Sequence, residues 1–169
     1  NHVFSIYEDS QNVLWVGLNG SGLVKIIRDE NNNPIHYTRI MGTEEYPSGL
    51  NNNQIFAIHE DNYQNIWIAT FGGGLNKILK EEINKKHPKI IKYKQENGLP
   101  SNEIYGILED KNQNLWISSN SGISKYDIEN KTFTNLGLKD GLQALNFRKG
   151  AYFKGRNGMM YFGGINGFN

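Results

Sequence analysis

Three Glu-Asp pairs, Glu8-Asp9, Glu60-Asp61 and Glu109-Asp110, are the residues in this sequence that most resemble a reactive site. Two neighbouring carboxylates can divide glycoside hydrolysis between an acid and a base or nucleophile. Each pair, however, returns with the same surroundings. Trp15, Trp67 and Trp116 each follow the aspartate at the same distance. A catalytic pair is needed once, whereas a pair repeated in register is a structural device. Aspartate suits the first position of a type I turn. The remaining candidates carry less. His2, His36, His59 and His87 fall at unrelated positions without metal-ligand spacing. No Gly-x-Ser-x-Gly nucleophile motif occurs. Gly72-Gly73-Gly74 follows a strand-like run, but no helix follows it, so it is not read as a phosphate cradle. The sequence therefore predicts no catalytic residue, no metal site and no cofactor.

Composition narrows the classes further. Among 169 residues, 18 basic groups face 17 acidic ones, so no field favours nucleic acid. The densest basic cluster, Lys85-Lys86-His87-Pro88-Lys89, reads as a solvated loop. There is no cysteine, which excludes disulfides and thiolate metal sites. No apolar run approaches the ~20 residues of a membrane-spanning helix, and no membrane contact is expected of this segment. Asn1 already stands inside the first repeat, which leaves no room for a signal peptide and predicts a piece of a longer chain.

The repeat dictates the elements. Trp15, Trp67, Trp116 and Tyr161 occupy one register, with spacings of 52, 49 and 45 residues. Asp9, Asp61 and Asp110 keep that register, as do the small residues Ser5, Ala57, Gly106 and Ala151. Each unit reads as four strands. The first, such as Ile55 to Glu60, carries the small residue where neighbouring units crowd together. The second, such as Asn65 to Thr70, carries the tryptophan between units. The third follows a glycine turn at Gly22, Gly74 or Gly122. The fourth is variable, and connectors Gly49-Leu50, Gly98-Leu99 and Gly141-Leu142 lead onward. Position four of the turn between the first two strands holds Asn12, Gln64, Gln113 and Gly158. Glutamine tolerates positive φ poorly. The left-handed residue is therefore expected to slide to Asn65 and Asn114, or the glutamine turns to be strained. Within the insertion 79–88, Lys80 to Lys85 has the composition of one helical turn.

Four-stranded units of this length are the sequence signature of a β-propeller. The fold expected is all-β, a propeller fragment of about three and a half four-stranded blades. Residues 1–48, 49–97 and 98–140 form one blade each, and 141–169 form the first half of another. Three and a half blades cannot close a ring, so end faces are expected to meet other blades, another chain or a second copy.

The run Glu60-Asp61 to Trp67, then Thr70-Phe71-Gly72-Gly73-Gly74-Leu75, resembles the two-component regulator propeller repeat, roughly E-D-x-x-G-x-[IL]-W-[IV]-G-T-x-G-G-G-L. Glu8-Asp9, Trp15, Gly17 and Gly22-Leu23 match it, as do Glu109-Asp110, Trp116 and Gly122. So does the connector Gly98 to Ile104. Gln64 and Gln113 depart at the turn glycine, and Ser118-Ser119 replace Gly-Thr. The stretches Asn146 to Tyr152 and Gly158 to Asn169 resemble the final blade of such sensors. In the family that blade precedes an immunoglobulin-like domain, a membrane span and histidine-kinase and response-regulator modules. The resemblance implies the periplasmic sensor region of a hybrid two-component system, commonly one that responds to oligosaccharides. The remaining blades and the immunoglobulin-like domain are then the expected partners, with a homodimer and an oligosaccharide ligand beside them. The motif from Asp to Trp also resembles the Asp-box of sialidase propellers, which is itself a structural turn.

Ligand contact is assigned to irregular loops at one end of the blades. Asn52, Phe71, Asn102, Asn120, Arg148 and Lys149 are the candidate binding residues, since amides and aromatics suit a sugar. Arg148 and Lys149 stand beside the axis, where they suit an anionic sugar or a salt bridge to a neighbour such as Glu103. Asp9, Trp15, Asp61, Trp67, Asp110, Trp116 and Tyr161 are assigned to architecture. A dimerisation scaffold without ligand, and a propeller lyase or glycosidase, are the alternative readings.

Overall fold

The computed structural model describes residues 2–169; Asn1, read above as part of the first repeat, lies outside the described residues. The chain is a β-propeller arc of four antiparallel sheets. The first sheet runs β1 (Val3–Glu8), β2 (Leu14–Leu18), β3 (Leu23–Arg28) and β4 (Pro34–Ile40). The second holds β5 (Ile55–Glu60), β6 (Ile66–Thr70), β7 (Gly74–Ile78) and β8 (Ile90–Tyr93). The third holds β9 (Ile104–Glu109), β10 (Leu115–Ser119), β11 (Gly122–Asp127) and β12 (Thr132–Leu136). The fourth holds β13 (Phe147–Lys154), β14 (Met160–Gly164) and β15 (Gly167–Phe168), so a short third strand joins the two that the sequence suggests. In each sheet the strands pair in chain order. Successive sheets touch through their innermost strands β1, β5, β9 and β13.

The core lies between sheets, which is why one unit cannot stand alone. Trp15 and Leu23 of the first sheet pack with Ile55, Ile58, Ile66 and Ile68 of the second. Trp67, Ala69 and Leu75 of the second pack with Ile104, Ile107, Leu115 and Ile117 of the third. Ile123 of the third meets Phe147 and Phe162 of the fourth. Each leucine, isoleucine or phenylalanine among them contributes about 1.5–3 kcal/mol when fully buried. The small residues of the inner strands answer the expected crowding: a Cβ on Gly106 would overlap the Tyr152 ring of the next sheet.

Of the two arrangements expected for the turns, the glutamines take the second. Asn12, Gln64 and Gln113 all keep positive φ, at 64°, 63° and 66°, so the left-handed residue does not slide forward. The aspartate fixes it there, because its carboxylate already binds the N–H groups on either side. In the insertion, a single 3-10 turn forms at Lys80–Glu82.

Candidate functional site

The Glu-Asp pairs divide their labour in a way that leaves no reactive pair. Asp9 Oδ1 accepts the N–H groups of Gln11 and Val13 at 2.9 Å each, and Oδ2 accepts the Trp15 indole N–H at 2.7 Å. Asp61 repeats this with Tyr63, Asn65 and Trp67 (indole 2.7 Å), and Asp110 with Asn112, Asn114 and Trp116 (indole 2.9 Å). In the fourth sheet Gly155 takes the turn position, and Tyr161 has no aspartate to bind. Glu8 meets Arg28 of its own sheet at 2.7 Å, whereas Glu60 and Glu109 reach backwards to the preceding sheet. Glu60 accepts the N–H and hydroxyl of Ser10 at 2.7 and 2.8 Å. Glu109 meets His59 at 3.2 Å. At the matching place in the fourth sheet, Lys154 Nζ donates to the Glu109 carbonyl at 2.7 Å.

A second stitch holds the opposite end. Gly22 N–H donates to Asn53 O at 2.8 Å, Gly74 to Asn102 O at 2.8 Å and Gly122 to Leu145 O at 2.7 Å. Each bond joins a glycine turn to the entry loop of the next sheet.

These two sets of bonds fix four inner strands around an axis, and the candidate site opens at the end where those strands begin. Phe4, Phe56 and Tyr105 take the same register position on β1, β5 and β9. Their rings form a row, with centroids 5.6 Å apart for Phe4–Phe56 and 5.8 Å for Phe56–Tyr105. Phe71, from the loop after β6, adds a fourth ring 5.7 Å from Phe56 and is 41% exposed. A cavity of about 420 Å³ lies against them, lined by Gln54, Phe56, Phe71, Tyr105, Phe147, Arg148 and Lys149. That volume falls within the usual range for small-ligand sites. Lys149 Nζ rests 4.2 Å from the Phe4 ring centre and 5.4 Å from that of Phe56, so it links the fourth sheet to the first and second.

Polar groups border the aromatic floor. Glu103 Oε2 accepts the Tyr105 hydroxyl and the Asn120 amide, both at 3.0 Å. Burial first, and then the Glu103 carboxylate, push the Tyr105 phenol up to about 12, with Arg148 opposing. The phenol therefore stays protonated and keeps its hydrogen-bond donor at neutral pH. Gln54 Nε2 donates to Asn19 Oδ1 at 2.7 Å on the other flank.

The six candidate residues divide accordingly. Phe71, Arg148 and Lys149 line the cavity, and Asn120 adjoins it through Glu103. Asn52 and Asn102 bind backbone instead. Asn52 Oδ1 accepts the Gln54 N–H at 2.8 Å, and Asn102 Oδ1 accepts the Gln95 N–H at 2.9 Å. Glu103 makes no ion pair with Arg148 or Lys149; its Oε2 accepts from Tyr105 and Asn120. Gln54, Phe56, Tyr105 and Phe147 were missed by sequence reasoning. Aligning the inner strands would have found the aromatic row, because it recurs one residue before Ser5, Ala57 and Gly106.

A larger cleft of about 530 Å³ lies at the rim, between β4 and the insertion. Lys25, buried under it, donates to Ile83 O at 3.1 Å and Asn84 Oδ1 at 2.9 Å and so anchors the insertion. Its other cations, Arg39, Lys85 and Lys86, are exposed, as Arg148 and Lys149 are at the axial cavity. That cleft lacks the axial cavity's aromatic floor and its convergence of separate sheets. Among the described residues, no three His, Asp or Glu groups gather as a metal site.

Residues 1–20, 49–72 and 98–121 match the model of the family described as two component regulator propeller. Each match covers an inner strand, the aspartate turn and the strand bearing the tryptophan. Among solved structures, the chain is similar to the extracellular domain of a protein assigned as the hybrid two component system BT3049 from B. thetaiotaomicron. Identity is 30% and the TM-score 0.77, over 98% of this chain and 21% of that one. It is also similar to the extracellular domain of another such protein, BT4673 from B. thetaiotaomicron, at 21% identity and a TM-score of 0.55, over 97% of this chain and 28% of that one. A catalytically inactive virginiamycin B lyase from Staphylococcus aureus shares the fold at 11% identity and a TM-score of 0.62, over 95% of this chain and 48% of that one. The chain thus spans 21% to 28% of the two-component domains it is compared with above. Comparison with curated proteins gives no match.

Proposed function

Since the chain carries the repeats of the two-component regulator propeller family, we propose that it is a non-catalytic part of a hybrid two-component sensor. In this reading it lies in the periplasm, packs against further blades and an immunoglobulin-like domain of its parent chain, and binds an oligosaccharide at the axial end. The observation that carries the reading is the axial cavity itself. Three rings, Phe56, Phe71 and Tyr105, form its floor, Gln54, Arg148 and Lys149 line it beside them, and Glu103 and Asn120 adjoin it through the Tyr105 hydroxyl. Pyranose rings offer one apolar C–H face and many hydroxyls, which suits a floor and rim of this kind.

Catalysis finds little support in the same place. The aspartates of the repeats bind turns, Glu8 binds Arg28, Glu60 and Glu109 bind the preceding sheet, and Glu103 accepts from Tyr105 and Asn120. Signalling would work by population shift. A ligand transmits only as far as it prefers one arrangement of the sheets. Lys149, which bridges from the fourth sheet to Phe4 and Phe56, is a contact that a ligand in the cavity would alter.

Calorimetric titration of the full chain against a library of plant, algal and host oligosaccharides tests this. Binding that falls at least about tenfold with Phe71→Ala supports the axial site, since one good aromatic contact is worth about 0.5–1.5 kcal/mol beyond its buried area. Binding untouched by Phe71→Ala and Tyr105→Ala would remove the site, and turnover of any library member would restore the enzyme reading.

A further inference from the structure

We propose that the ligand of the axial cavity is anionic: an acidic oligosaccharide whose carboxylate or sulfate is received by Arg148 and Lys149. The inference rests on reading the cavity as a saccharide site, and its evidence is the way the fourth inner strand departs from the other three. In β1, β5 and β9 the pairing with the second strand slips by one residue. Ile55 pairs with Thr70 and Ile58 with Ile68, so three residues on β5 span two on β6. The same count holds from Val3 to Ile6 and from Ile104 to Ile107. In β13, Phe147 pairs with Gly164 and Tyr152 with Phe162, so five residues span two. The fourth inner strand therefore carries two extra residues at the level of the aromatic row.

Those residues belong to Arg148-Lys149-Gly150, which stands where the other sheets supply one aromatic residue each. Gly150 has φ +73° and open space around it, which lets the strand loop out and return. The loop delivers two adjacent cations to the cavity wall. No hydrogen bond or ion pair with the described residues occupies the Arg148 guanidinium, and the Lys149 ammonium meets only the faces of Phe4 and Phe56. The nearby Glu103 carboxylate accepts the Tyr105 hydroxyl and the Asn120 amide on one oxygen and pairs with neither cation. Two exposed cations without a carboxylate partner, beside an apolar floor, form a receptor for an anion. The planar guanidinium fork matches the paired oxygens of a carboxylate or sulfate, and lysine adds a point charge beside it. An acidic sugar would stack on Phe56, Phe71 and Tyr105 while its anionic group draws Lys149 from the Phe56 face.

Titration of the full chain with galacturonic acid trimer, its uncharged methyl ester, and a sulfated galactose trimer beside its unsulfated form tests the proposal. One or both acidic probes should bind at least about tenfold tighter than the uncharged partner, and that margin should shrink as salt rises from about 50 to about 500 mM. Arg148→Gln and Lys149→Gln should each lower acidic-probe affinity about tenfold and shrink the margin between acidic and uncharged probes. The stronger acidic probe identifies the anionic group. Equal affinity for charged and uncharged probes, with both still lost in Phe71→Ala, would overturn the charge preference and leave the saccharide site standing. Binding by none of the probes would overturn the proposal, and failure of the whole neutral and acidic library would overturn the saccharide reading as well.

Discussion

Asp61 accepts hydrogen bonds from the Tyr63 and Asn65 N–H groups, the Asn65 amide and the Trp67 indole, while Lys77 lies 3.7 Å away. Lys77 also sits 4.6 Å over the Trp67 ring. Asp61→Ala strands several buried donors at once and should cost about 3 kcal/mol, read by chemical denaturation. Asp29 makes the same kind of turn between β3 and β4 with no tryptophan partner, so Asp29→Ala should cost clearly less. Asp110 adds a pH signature. Burial raises its carboxyl, but the bonds from Trp116, Asn114 and Asn112 outweigh burial and hold it below the ordinary range. A depressed carboxylate stabilises the fold above its unfolded value, near about 3.9, and the benefit is lost as pH falls through the folded value. The unfolding midpoint should therefore drop below about pH 4, and Asp110→Asn should flatten that drop. The aspartates' role was legible because their partners lie within six residues. The glutamates' role was not, since Glu60 binds Ser10 in the preceding sheet.

At the scale of the elements, two neighbouring glycines separate conformation from space. Gly72 and Gly74 both have positive φ, at +76° and +73°. A Cβ at Gly72 would meet nothing, whereas at Gly74 it would overlap the Tyr93 carbonyl oxygen. Gly72→Ala should cost about 1 kcal/mol from the left-handed backbone alone. Gly74→Ala should cost at least about 2 kcal/mol more, because a sheet edge and the bond to Asn102 must shift. Gln113 tests the reverse change. Its φ of 66° favours glycine, so Gln113→Gly should stabilise by about 0.5 kcal/mol after the unfolded-state entropy is counted. Strands, turns and the glycine connectors were readable from alternation and turn residues. The two-residue loop in β13 was not, because a bulge is visible only once its partner strand fixes the register.

Across the whole molecule, one register position shows what each sheet needs from its neighbour. Ile58 and Ile107 are 6% and 2% exposed between sheets, while the equivalent Ile6 is 67% exposed on the face of the first sheet. In this chain Ile58→Ala should cost about 3 kcal/mol, and Ile6→Ala under about 0.5 kcal/mol. In a parent chain with a further blade on that face, the two costs should converge. The repeat made the architecture legible from sequence, and the same regularity hid the site, which is where the regularity fails. Hydrogen exchange on the full chain, with and without the tightest-binding saccharide of the titration series, tests the axial site most directly. The account predicts added protection at the starts of β5 and β9, in the loop at Phe71 to Gly73, and across Arg148 to Ala151. The aspartate turns at 9–13, 61–65 and 110–114 should stay unchanged. Protection confined to the rim cleft between β4 and the insertion, with the axial segments unaltered, would contradict it.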